Sequence, residues 1–335
     1  MITKIHYKNF KALRNATLPL GRFTLLVGAN GTGKSTAING FKILTNPKSA
    51  EWEKIASIGL KYESVKISVF IDDFQNIPFL SEQWNENGYV DTRKDEDSLD
   101  KALYKATFDV LTFDISSFRI FGFDPEIISR PVTIDANLEL DENGKNLAGV
   151  LDQLRDTDNR KFEELNTELQ KWLPEYDRIS FETPDKGVKS FVLITKIGKY
   201  KIKAADLSDG TRLALAYLTI AYLPNPPKIV CFEEPERGIH PRLLRNIQEA
   251  MDRLAYPENF GEKREPVQVI ATTHSPYLLD LYKDRREEIV IADKDEKGVH
   301  FNRLIDLPHI EEILKEQDAP LGDVWFSGIL GGVPA

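Results

Sequence analysis

The alternation of hydrophobic and polar positions predicts a chain in which strands and helices follow one another. Residues 5–10 alternate as a half-buried strand does, and Phe23–Val27 is an apolar run with aromatic and β-branched residues, typical of a buried strand. A turn between them is predicted at Arg14–Ala16. Residues 36–44, which follow the second strand, have the composition of a helix.

Residues 46–140 are interpreted as a β-rich insertion. Strand-like alternation occurs within it at Lys66–Asp72, Thr107–Ile115 and Ser117–Phe123. The polar stretch Ser81–Leu103 lies between the first two of these segments and predicts an excursion on the surface.

From Asn146 onward the hydrophobic period becomes that of a helix. Two one-sided stripes are separated by the polar residues Asp156–Asn159, and Pro174 ends the second stripe. Residues 141–199 are therefore predicted to form a helical lobe with return strands. The stripes consist of Leu147, Val150, Leu151 and Leu154, and then of Phe162, Leu165, Leu169, Trp172 and Leu173. The sequence has no repeat and no sustained heptads, which disfavours a long coiled-coil arm.

Buried strands and an apolar helix return in the last part of the chain. Ile229–Phe232 and residues 267–273 have strand character, and Leu213–Leu223 has the character of an apolar helix. Residues 1–45 and 200–335 are together predicted to form one α/β core around a mixed central sheet, which carries the β-rich insertion and the helical lobe.

Composition disfavours a surface that is basic throughout, a disulfide framework and a membrane-spanning segment. The 335 residues contain 44 Lys plus Arg and 53 Asp plus Glu, a net charge of -9, so any nucleic-acid contact is expected to be local or made by a partner. Cys231 is the single cysteine, so a disulfide within the chain is impossible and a reducing compartment is favoured. Leu213–Leu223 is too short to cross a bilayer, and the start of the chain lacks a signal-peptide pattern. We expect a soluble, cytoplasmic protein without direct membrane association.

A glycine-rich loop, GANGTGKST at residues 28–36, follows a predicted strand and precedes a predicted helix. In this order consecutive backbone N–H groups wrap a phosphate chain at the start of the helix. Gly28, Gly31 and Gly33 accept dihedral angles that a Cβ atom would disfavour, and they leave room for close approach of the phosphates. The flanking strand and helix favour this interpretation over a chance glycine-rich turn.

Three polar side chains at the end of the loop suit the chemistry of a nucleotide. Lys34 is expected to reach the β- and γ-phosphates as a point charge, and Ser35 to take one position on a Mg²⁺ ion that keeps most of its waters. Thr36 is expected to add a hydrogen bond to phosphate. The loop therefore predicts binding of a nucleoside triphosphate with Mg²⁺.

The segment LSDGTR, residues 207–212, predicts a second phosphate-binding helix start. Ser208 would offer its hydroxyl group and Gly210 its N–H. An ordinary helix cap by Ser208 or Asp209 is the alternative. Because the chain already has one phosphate loop, a second one far away in sequence is reasonable if it serves the nucleotide of another subunit.

Two adjacent carboxylates follow the predicted strand Ile229–Phe232, at the end where ligands bind in open α/β sheets. Adjacent residues of a strand point to opposite faces, so the two side chains have different roles. Glu233 is predicted to support Mg²⁺ through water, and Glu234 to act as the general base that polarises the attacking water. An acidic turn that caps a helix at Pro241 is the alternative.

His274 follows the last predicted buried strand. A neutral imidazole there would hydrogen-bond the γ-phosphate or the attacking water, and so distinguish ATP from ADP. A purely structural hydrogen bond is the alternative for a single histidine. The order of the four motifs along the chain favours a catalytic role for His274 together with Lys34 and Glu234.

These motifs, in this order, resemble those of an ABC-class ATPase of the branch that contains RecF, the SMC proteins and the OLD-family ATPases. The similarity covers nearly the whole chain. In the first part of the chain, IHYKNFKAL (5–13) is similar to the opening strand of that branch, and GANGTGKST (28–36) to a Walker A motif with Asn30. Further on, LSDGTR (207–212) is similar to a divergent signature loop, and CFEEPERGIHP (231–241) to Walker B and the D-loop. TTHSPYLLD (272–280) is similar to the switch-histidine segment, and LGDVWFSGILGG (321–332) to sequences that close stand-alone OLD-like members.

The resemblance implies a P-loop NTPase fold of ABC type, with ATP and Mg²⁺ as ligands and head-to-head dimerisation around ATP. In such a dimer Ser208 and Gly210 of one subunit complete the site that contains Lys34 of the other. The implied ATP-binding set is Gly28, Asn30, Gly31, Gly33, Lys34, Ser35, Thr36, Ser208 and Gly210, with Ser35 and Glu233 on the metal side.

The chain departs from the family pattern in two places. Glu233 stands where many relatives have Asp, and its extra methylene would alter the metal geometry and slow hydrolysis. The glutamine that links nucleotide to the helical lobe is unassigned, with Gln75 and Gln153 as the nearest candidates. Gln153 belongs to a predicted amphipathic helix and is expected at the surface.

OLD nucleases carry a TOPRIM domain after the ATPase, so Asp293–Asp295 (DKD) has two interpretations. A D-x-D at a strand end could bind Mg²⁺ with a third carboxylate. DKDEKG followed by VHFNRL instead favours a hairpin turn, and few residues follow, so intrinsic nuclease activity is not expected.

The basic residues that could contact phosphates of a nucleic acid are scattered among acidic ones, which favours a solvated surface. They are Arg242, Arg245, Lys263, Arg264, Arg285 and Arg286. DNA binding is therefore implied by the resemblance alone.

Three hypotheses for function remain. The first is an ATP-hydrolysing switch or clamp in DNA repair or anti-phage defence, with a nuclease or toxin as effector. The second is a low-turnover ATP sensor that holds or inhibits such a partner. A transporter motor is least favoured, because NFKAL and EEPERGIHP resemble the DNA-repair branch more closely. No base-contacting residue is recognisable, so the choice between ATP and GTP stays open, as do the nucleic acid, the effector and the trigger.

Overall fold

The chain folds into two units, each assembled from segments that are not contiguous in sequence. The computed structural model describes residues 1–60, 63–71, 79–90, 114–135, 138–296, 298–317 and 319–332. Unit 1 consists of Met1–Arg119, Pro227–Cys231 and Gln268–Ala335, and unit 2 of Ile120–Pro226 and Phe232–Val267. The boundaries predicted after residues 45, 140 and 199 stay predictions.

Unit 1 combines two sheets with short helices. Its strands are β1 (Ile2–Phe10), β2 (Leu13–Pro19), β3 (Phe23–Val27), β4 (Val65–Ile71), β5 (Leu80–Asn85), β6 (Gly88–Val90), β13 (Gln268–Thr273), β14 (Ile289–Asp295) and β15 (Gly298–Arg303). Its helices are α1 (Lys34–Ile43), α2 (Trp52–Ile55), α8 (Pro276–Asp280), α9 (Ile310–Gln317) and α10 (Leu321–Phe326).

The sheet that contains β3 positions the glycine-rich loop. Its strands run in the order β15-β14-β3-β13, and β12 (Ile229–Glu233) follows β13. β3 is parallel to both β13 and β14, with Val27 opposite Thr273 and Ile291. Every residue of β3 is buried, as its apolar run predicts. The carboxyl ends of these three strands therefore lie at one edge of the sheet, where ligands bind in α/β folds.

The second sheet of unit 1 is antiparallel, in the order β2-β1-β4-β5-β6. β4 confirms the strand predicted at Lys66–Asp72 as far as Ile71, and Asp72 lies outside the described residues. The turn predicted at Arg14–Ala16 is wrong, because these residues lie within β2 and Phe10 pairs with Leu13. The chain reverses around Lys11, which has a φ of +46° without being a glycine, so the usual sequence signal of a tight turn is missing.

The predicted surface excursion Ser81–Leu103 is wrong over its described part, since residues 81–85 and 88–90 belong to β5 and β6 and residues 86–87 form the turn between them. β5 alternates as a half-buried strand, with Glu82 and Trp84 buried. The alternation is hard to recognise in the sequence because Glu82, a charged residue, takes a buried position. Its carboxylate is compensated there by a hydrogen bond from the hydroxyl group of Tyr89. Residues 91–103 and most of the strand predicted at Thr107–Ile115 lie outside the described residues.

Unit 2 contains most of the long helices. Its helices are α3 (Pro125–Ile128), α4 (Leu147–Thr157), α5 (Asn159–Trp172), α6 (Asp209–Tyr222) and α7 (Pro241–Ala255). Its strands are β8 (Val132–Thr133), β9 (Tyr176–Asp185), β10 (Val188–Thr195) and β11 (Lys201–Lys203); β7 (Arg119–Phe121) lies almost entirely in this unit, and β12 ends in it. β10 pairs antiparallel with β8, β9 and β11.

The two helices predicted after Asn146 are confirmed. The apolar stripes of α4 and α5 are buried, and Asp158 caps α5 by accepting from the N–H of Lys161. Gln153 is half-buried rather than a plain surface residue, because its Oε1 accepts a hydrogen bond of 2.7 Å from the N–H of Leu138. Gln75 lies outside the described residues.

Asp293–Asp295 ends a strand that folds back as a hairpin. β14 and β15 pair antiparallel with Asp295 opposite Gly298, as the hairpin interpretation predicts. Within the described residues, no group of three or more His, Cys, Asp or Glu side chains could hold a metal ion. Among the described helices, none combines the length and the apolar character needed to cross a membrane.

Candidate nucleotide-binding site

The glycine-rich loop starts where β3 ends, inside closely packed backbone. The N–H of Gly28 donates to the carbonyl oxygen of Thr273 at 3.3 Å. A Cβ atom on Gly28 would lie 2.6 Å from the carbonyl oxygen of Ala292 and 2.7 Å from Oγ1 of Thr32. The first glycine of the motif is therefore required by packing, before any ligand binds.

The next two glycines provide the curvature of the loop. Gly31 and Gly33 have φ angles of +84° and +93°, in the region that side chains disfavour. A Cβ atom on Gly33 would also lie 3.0 Å from the side chain of Val299. The loop can therefore turn tightly into α1 because glycine occupies these positions, as predicted.

The start of α1 is suited to bind an anion. Its N-cap residue is Gly33, which has no side chain that could satisfy the N–H groups of the first turn. The first turn carries no acidic residue, and Ser35 is exposed while Thr36 is half-exposed. A phosphate chain supplies the acceptors and the negative charge that such a helix start favours. The residues present thus fit the triphosphate of a nucleotide.

Lys34 is held against the loop. Its side chain is buried at 7% exposure, and Nζ donates to the carbonyl oxygens of Gly28 at 2.6 Å and Ala29 at 3.0 Å. A buried ammonium group needs such partners, because an unpaired charge is costly away from water. Its contact with the β- and γ-phosphates stays a prediction.

His274 lies at the same edge of the sheet as the loop. It follows Thr273, the residue paired with Val27, and it is exposed. Oγ1 of Thr273 accepts a hydrogen bond of 3.0 Å from the N–H of Ser275, which fixes the backbone on both sides of the histidine. The structure thus brings His274 to the end of the strand beside the glycine-rich loop.

Glu233 and Glu234 lie in unit 2, at the end of β12. Glu234 has a φ of +46°, so the backbone leaves the extended conformation between the two carboxylates. The helix-capping alternative does not apply to them. α7 does start at Pro241, but its cap is His240, whose Nδ1 accepts from the N–H of Arg242 at 3.1 Å.

Ser208 and Gly210 also lie in unit 2, at the start of α6. Oγ of Ser208 accepts a hydrogen bond of 3.2 Å from the N–H of Thr211, so the residue acts as an ordinary N-cap. A Cβ atom on Gly210 would lie 3.5 Å from the carbonyl oxygen of Gly238, in the loop after Glu234. The segments 207–212 and 231–241 therefore pack against each other, which the sequence did not predict.

A family model described as "AAA domain, putative AbiEii toxin, Type IV TA system" matches residues 23–280. The chain belongs to this family. The match begins at β3 and ends at the last residue of α8, so it contains all four motifs.

Two curated proteins are similar to this AAA-family chain. It is 22% identical over 349 residues to the OLD nuclease of Thermus scotoductus, covering 89% of the chain and 63% of that protein. It is 23% identical over 393 residues to the Old nuclease of Escherichia phage P2, covering 96% of the chain and 64% of that protein. The chain thus spans less than two thirds of the length of either nuclease.

Solved structures share the fold of this AAA-family chain. One is the SmcHead bound to the C-winged helix domain of ScpA, with a TM-score of 0.59 and 15% identity over 90% of this chain and 96% of that one. Another is the SMC head domain from Thermotoga maritima, with a TM-score of 0.50 and 15% identity over 90% of this chain and 98% of that one. The predicted fold class, a P-loop NTPase of ABC type, is confirmed.

Within unit 1 the described residues of the candidate site are those of the glycine-rich loop and His274, whereas Ser208, Gly210, Glu233 and Glu234 belong to unit 2. Sequence reasoning did not identify Arg212 as a residue that holds the segment before Ser208. Its guanidinium group donates to the carbonyl oxygen of Leu207, the residue directly before Ser208. The signal was present in the sequence as the arginine that ends LSDGTR.

Among the scattered basic residues, Arg242, Arg245 and Lys263 are exposed, as a solvated surface predicts, whereas Arg264, Arg285 and Arg286 are half-buried and paired with carboxylates. Nη1 of Arg286 donates to Glu311 at 2.7 Å, and Nε of Arg264 donates to Glu262 at 2.5 Å. Arg285 forms an ion pair with Glu288 at 2.6 Å. Carboxylates of the chain itself thus neutralise three of these cations.

Proposed function

We propose that this chain is an ATP-binding and ATP-hydrolysing switch that uses Mg²⁺ and dimerises head to head around ATP. The observation that supports it most is the glycine-lined loop, which enters α1 through an N-cap without a side chain while Lys34 is held beside it. A triphosphate would take the N–H groups at the helix start, and Lys34 would exchange its carbonyl partners for phosphate oxygens.

Hydrolysis requires a base and a charge-stabilising site for the leaving group. Glu234 is proposed to polarise the attacking water, and Lys34 to stabilise negative charge on the phosphates. His274 is proposed to hydrogen-bond the γ-phosphate or the water, and Ser35 and Glu233 would hold the metal. Mg²⁺, when bound, supplies charge neutralisation at the phosphate oxygens.

The dimer is proposed because the two candidate phosphate-binding segments lie far apart in sequence. Ser208 and Gly210 of a second copy would contact the γ-phosphate held at Lys34, so the nucleotide would bridge two subunits. Hydrolysis removes this bridge, which gives ATP and ADP different affinities for the dimeric state. Such a switch suits a clamp on nucleic acid that controls a nuclease or toxin partner in cytoplasmic DNA repair or anti-phage defence.

A low-turnover ATP sensor is the second candidate. Glu233 favours it, because a side chain longer than Asp shifts the carboxylate relative to the metal. The family description, which names a toxin and a type IV TA system, is compatible with a chain that holds or inhibits a partner. Co-purification with a partner protein and negligible ATP hydrolysis would favour this candidate.

The decisive experiment measures ATP hydrolysis and molecular mass in solution for wild type and Glu234→Gln, with and without double-stranded DNA. Turnover by wild type and an ATP-dependent dimer of Glu234→Gln are expected, and DNA stimulation would support a clamp. Glu265→Gln is the matched control, because the same chemical change falls on an exposed residue of unit 2. A Glu234→Gln protein that stays monomeric in saturating ATP would refute the dimer.

Lys34→Ala tests nucleotide binding itself. Loss of the ammonium group should abolish ATP binding, measured by calorimetry, without abolishing folding. Undiminished affinity would place the nucleotide elsewhere and contradict the proposed site.

A further inference from the structure

Residues 321–332, here called the clasp, touch two parts of the candidate site within unit 1. The clasp consists of α10 and the glycine-containing segment that follows it. The segment that makes these contacts lies outside residues 23–280, which match the family model.

The first contact holds the beginning of the glycine-rich loop. The N–H of Ala29 donates to the carbonyl oxygen of Gly332 at 2.5 Å. The N–H of Gly332 in turn donates to Oδ1 of Asp293 at 3.0 Å. Asp293 thus fixes Gly332, and Gly332 fixes Ala29.

No space for a side chain exists where these segments meet. A Cβ atom on Gly332 would lie 2.8 Å from the carbonyl oxygen of Ala292, the same oxygen that lies 2.6 Å from the Cβ position of Gly28. Gly332 also has a φ of +73°, which disfavours any other residue. Glycine at position 332 is required for the clasp to reach the loop.

The second contact reaches the segment of His274. The N–H of Gly322 donates to Oδ1 of Asp280 at 2.7 Å, and a Cβ atom on Gly322 would lie 2.5 Å from the carbonyl oxygen of Pro276. Pro276 is the first residue of α8 and follows His274 by two positions. α10 therefore packs directly against the helix that continues from the histidine.

Burial keeps the clasp in place between its two contacts. Leu321, Val324, Trp325 and Leu330 are at most 5% exposed. Burying such side chains contributes free energy that offsets the entropy lost when the segment is ordered. The clasp is an anchored element with a defined position.

The position of the contact between Gly332 and Ala29 decides whether the clasp helps or hinders phosphate binding. A phosphate chain would take N–H groups at the start of α1, whereas Gly332 takes the N–H of Ala29, at the opposite end of the loop. The clasp therefore does not compete with phosphates for the same donors. Because it fixes the loop before ATP arrives, less conformational entropy remains to be lost on binding.

We propose that the clasp is a positioning element of the nucleotide site, with Gly332 as the residue that holds the glycine-rich loop in its binding conformation. This inference rests on the proposed ATP-binding function. A partner that pulls residues 328–332 away would lower the affinity for ATP without touching a residue that contacts the nucleotide.

The test compares Gly332→Ala with Gly59→Ala. Gly59 has a φ of +86° and no atom within 4 Å of its Cβ position, so its substitution causes the same backbone strain in unit 1 without the contact. Asp293→Ala and Asp295→Ala form a second pair, because Asp295 belongs to the same hairpin and accepts from Gly298 rather than from Gly332.

Two readouts separate positioning from general stability. ATP affinity, measured by calorimetry, should fall about fivefold or more in Gly332→Ala and Asp293→Ala, the effect expected for loss of one hydrogen bond. Hydrogen exchange of the peptide that contains Ala29, measured without nucleotide, should be faster in these two variants than in their controls. The melting temperature is expected to fall more in Gly332→Ala than in Gly59→Ala, because crowding adds to the backbone strain, so both readouts are taken well below the melting temperature of each variant.

Each outcome decides the proposal. Unchanged exchange at Ala29 in Gly332→Ala would overturn it, as would ATP affinity that equals or exceeds that of the control. If wild type itself fails to bind ATP, the proposed function fails, while the exchange measurement still reports whether Gly332 holds the loop.

Discussion

Nη1 of Arg212 donates a hydrogen bond of 2.9 Å to the carbonyl oxygen of Pro125, which lies 87 residues earlier in the chain. Nε and Nη2 of the same side chain donate to the carbonyl oxygen of Leu207 at 3.0 and 2.7 Å. Arg212 thus joins the start of α3 to the segment directly before Ser208. A planar group with several donors is needed for this geometry, which lysine does not provide.

Arg212→Ala should lower the free energy of unfolding by about 2 kcal/mol, because two part-buried carbonyl groups lose a charged donor. Arg212→Lys should be nearly as destabilising, since one ammonium group cannot replace the guanidinium fork. Urea denaturation measures both. Arg245→Ala is the control, because Arg245 is exposed on α7, and its effect should stay within about 0.5 kcal/mol. Equal stability of Arg212→Ala and Arg245→Ala would contradict the structural role.

Gly28→Ala and Gly31→Ala should separate crowding from backbone strain in the glycine-rich loop. Gly28 has atoms within 2.7 Å of its Cβ position, whereas Gly31 has none within 4 Å but a φ of +84°. We expect about 2 kcal/mol of destabilisation for Gly28→Ala and about 1 kcal/mol for Gly31→Ala. Chemical denaturation measures the difference, and a larger effect at Gly31 would show that crowding is relieved by movement of Ala292 or Thr32.

Local patterns predicted the site loop and the helices well. The strand Phe23–Val27, the glycine spacing and the start of α1 are dictated by residues within a short window, so sequence alone places them. The stripes of α4 and α5 are equally local, because a helix repeats its burial every three to four residues.

Features that depend on distant partners were not predictable. The burial of Glu82 becomes reasonable once Tyr89 is seen to donate to it, and the sequence alone indicates a polar, exposed position. The contact of Ala29 with Gly332 joins two segments that are far apart in sequence, and it does so through backbone atoms, which leave no side-chain signal. The packing of Gly210 against Gly238 cannot be seen in the sequence either, because it too involves the backbone.

Tyr7→Phe tests the connection between β1 and the helix of the nucleotide site. The hydroxyl group of Tyr7 is buried and donates to the carbonyl oxygen of Ala37 in α1 at 2.8 Å. Burial raises the pKa of Tyr7, so the group stays a protonated donor. Its loss should cost about 1 kcal/mol in thermal or urea unfolding. Tyr200→Phe is the control, since Tyr200 is 69% exposed, and comparable losses in both variants would refute the contribution of the hydrogen bond.

Glu262 forms ion pairs with three basic side chains in unit 2. Its carboxylate accepts from Nη1 of Arg253 and Nε of Arg264, both at 2.5 Å, and Nζ of Lys161 lies 3.4 Å away. Burial alone raises the pKa of Glu262, but the hydrogen bonds from Arg264 and Arg253 outweigh it and bring the pKa below its ordinary value of 4.5. The ionised form is therefore the one that the folded chain favours.

This shift predicts how acid destabilises the chain. A carboxyl group with a lower pKa in the folded state contributes its full stability above the unfolded pKa, and the contribution is lost as the pH falls through the folded pKa. Glu262→Gln should therefore lower the free energy of unfolding by about 2 to 3 kcal/mol at pH 7, and by progressively less below about pH 4.5. Urea denaturation from pH 7 to pH 3 measures this convergence with wild type. Glu265→Gln, on an exposed neighbour, should track wild type throughout, and a constant difference between Glu262→Gln and wild type over the whole range would contradict the ion-pair explanation.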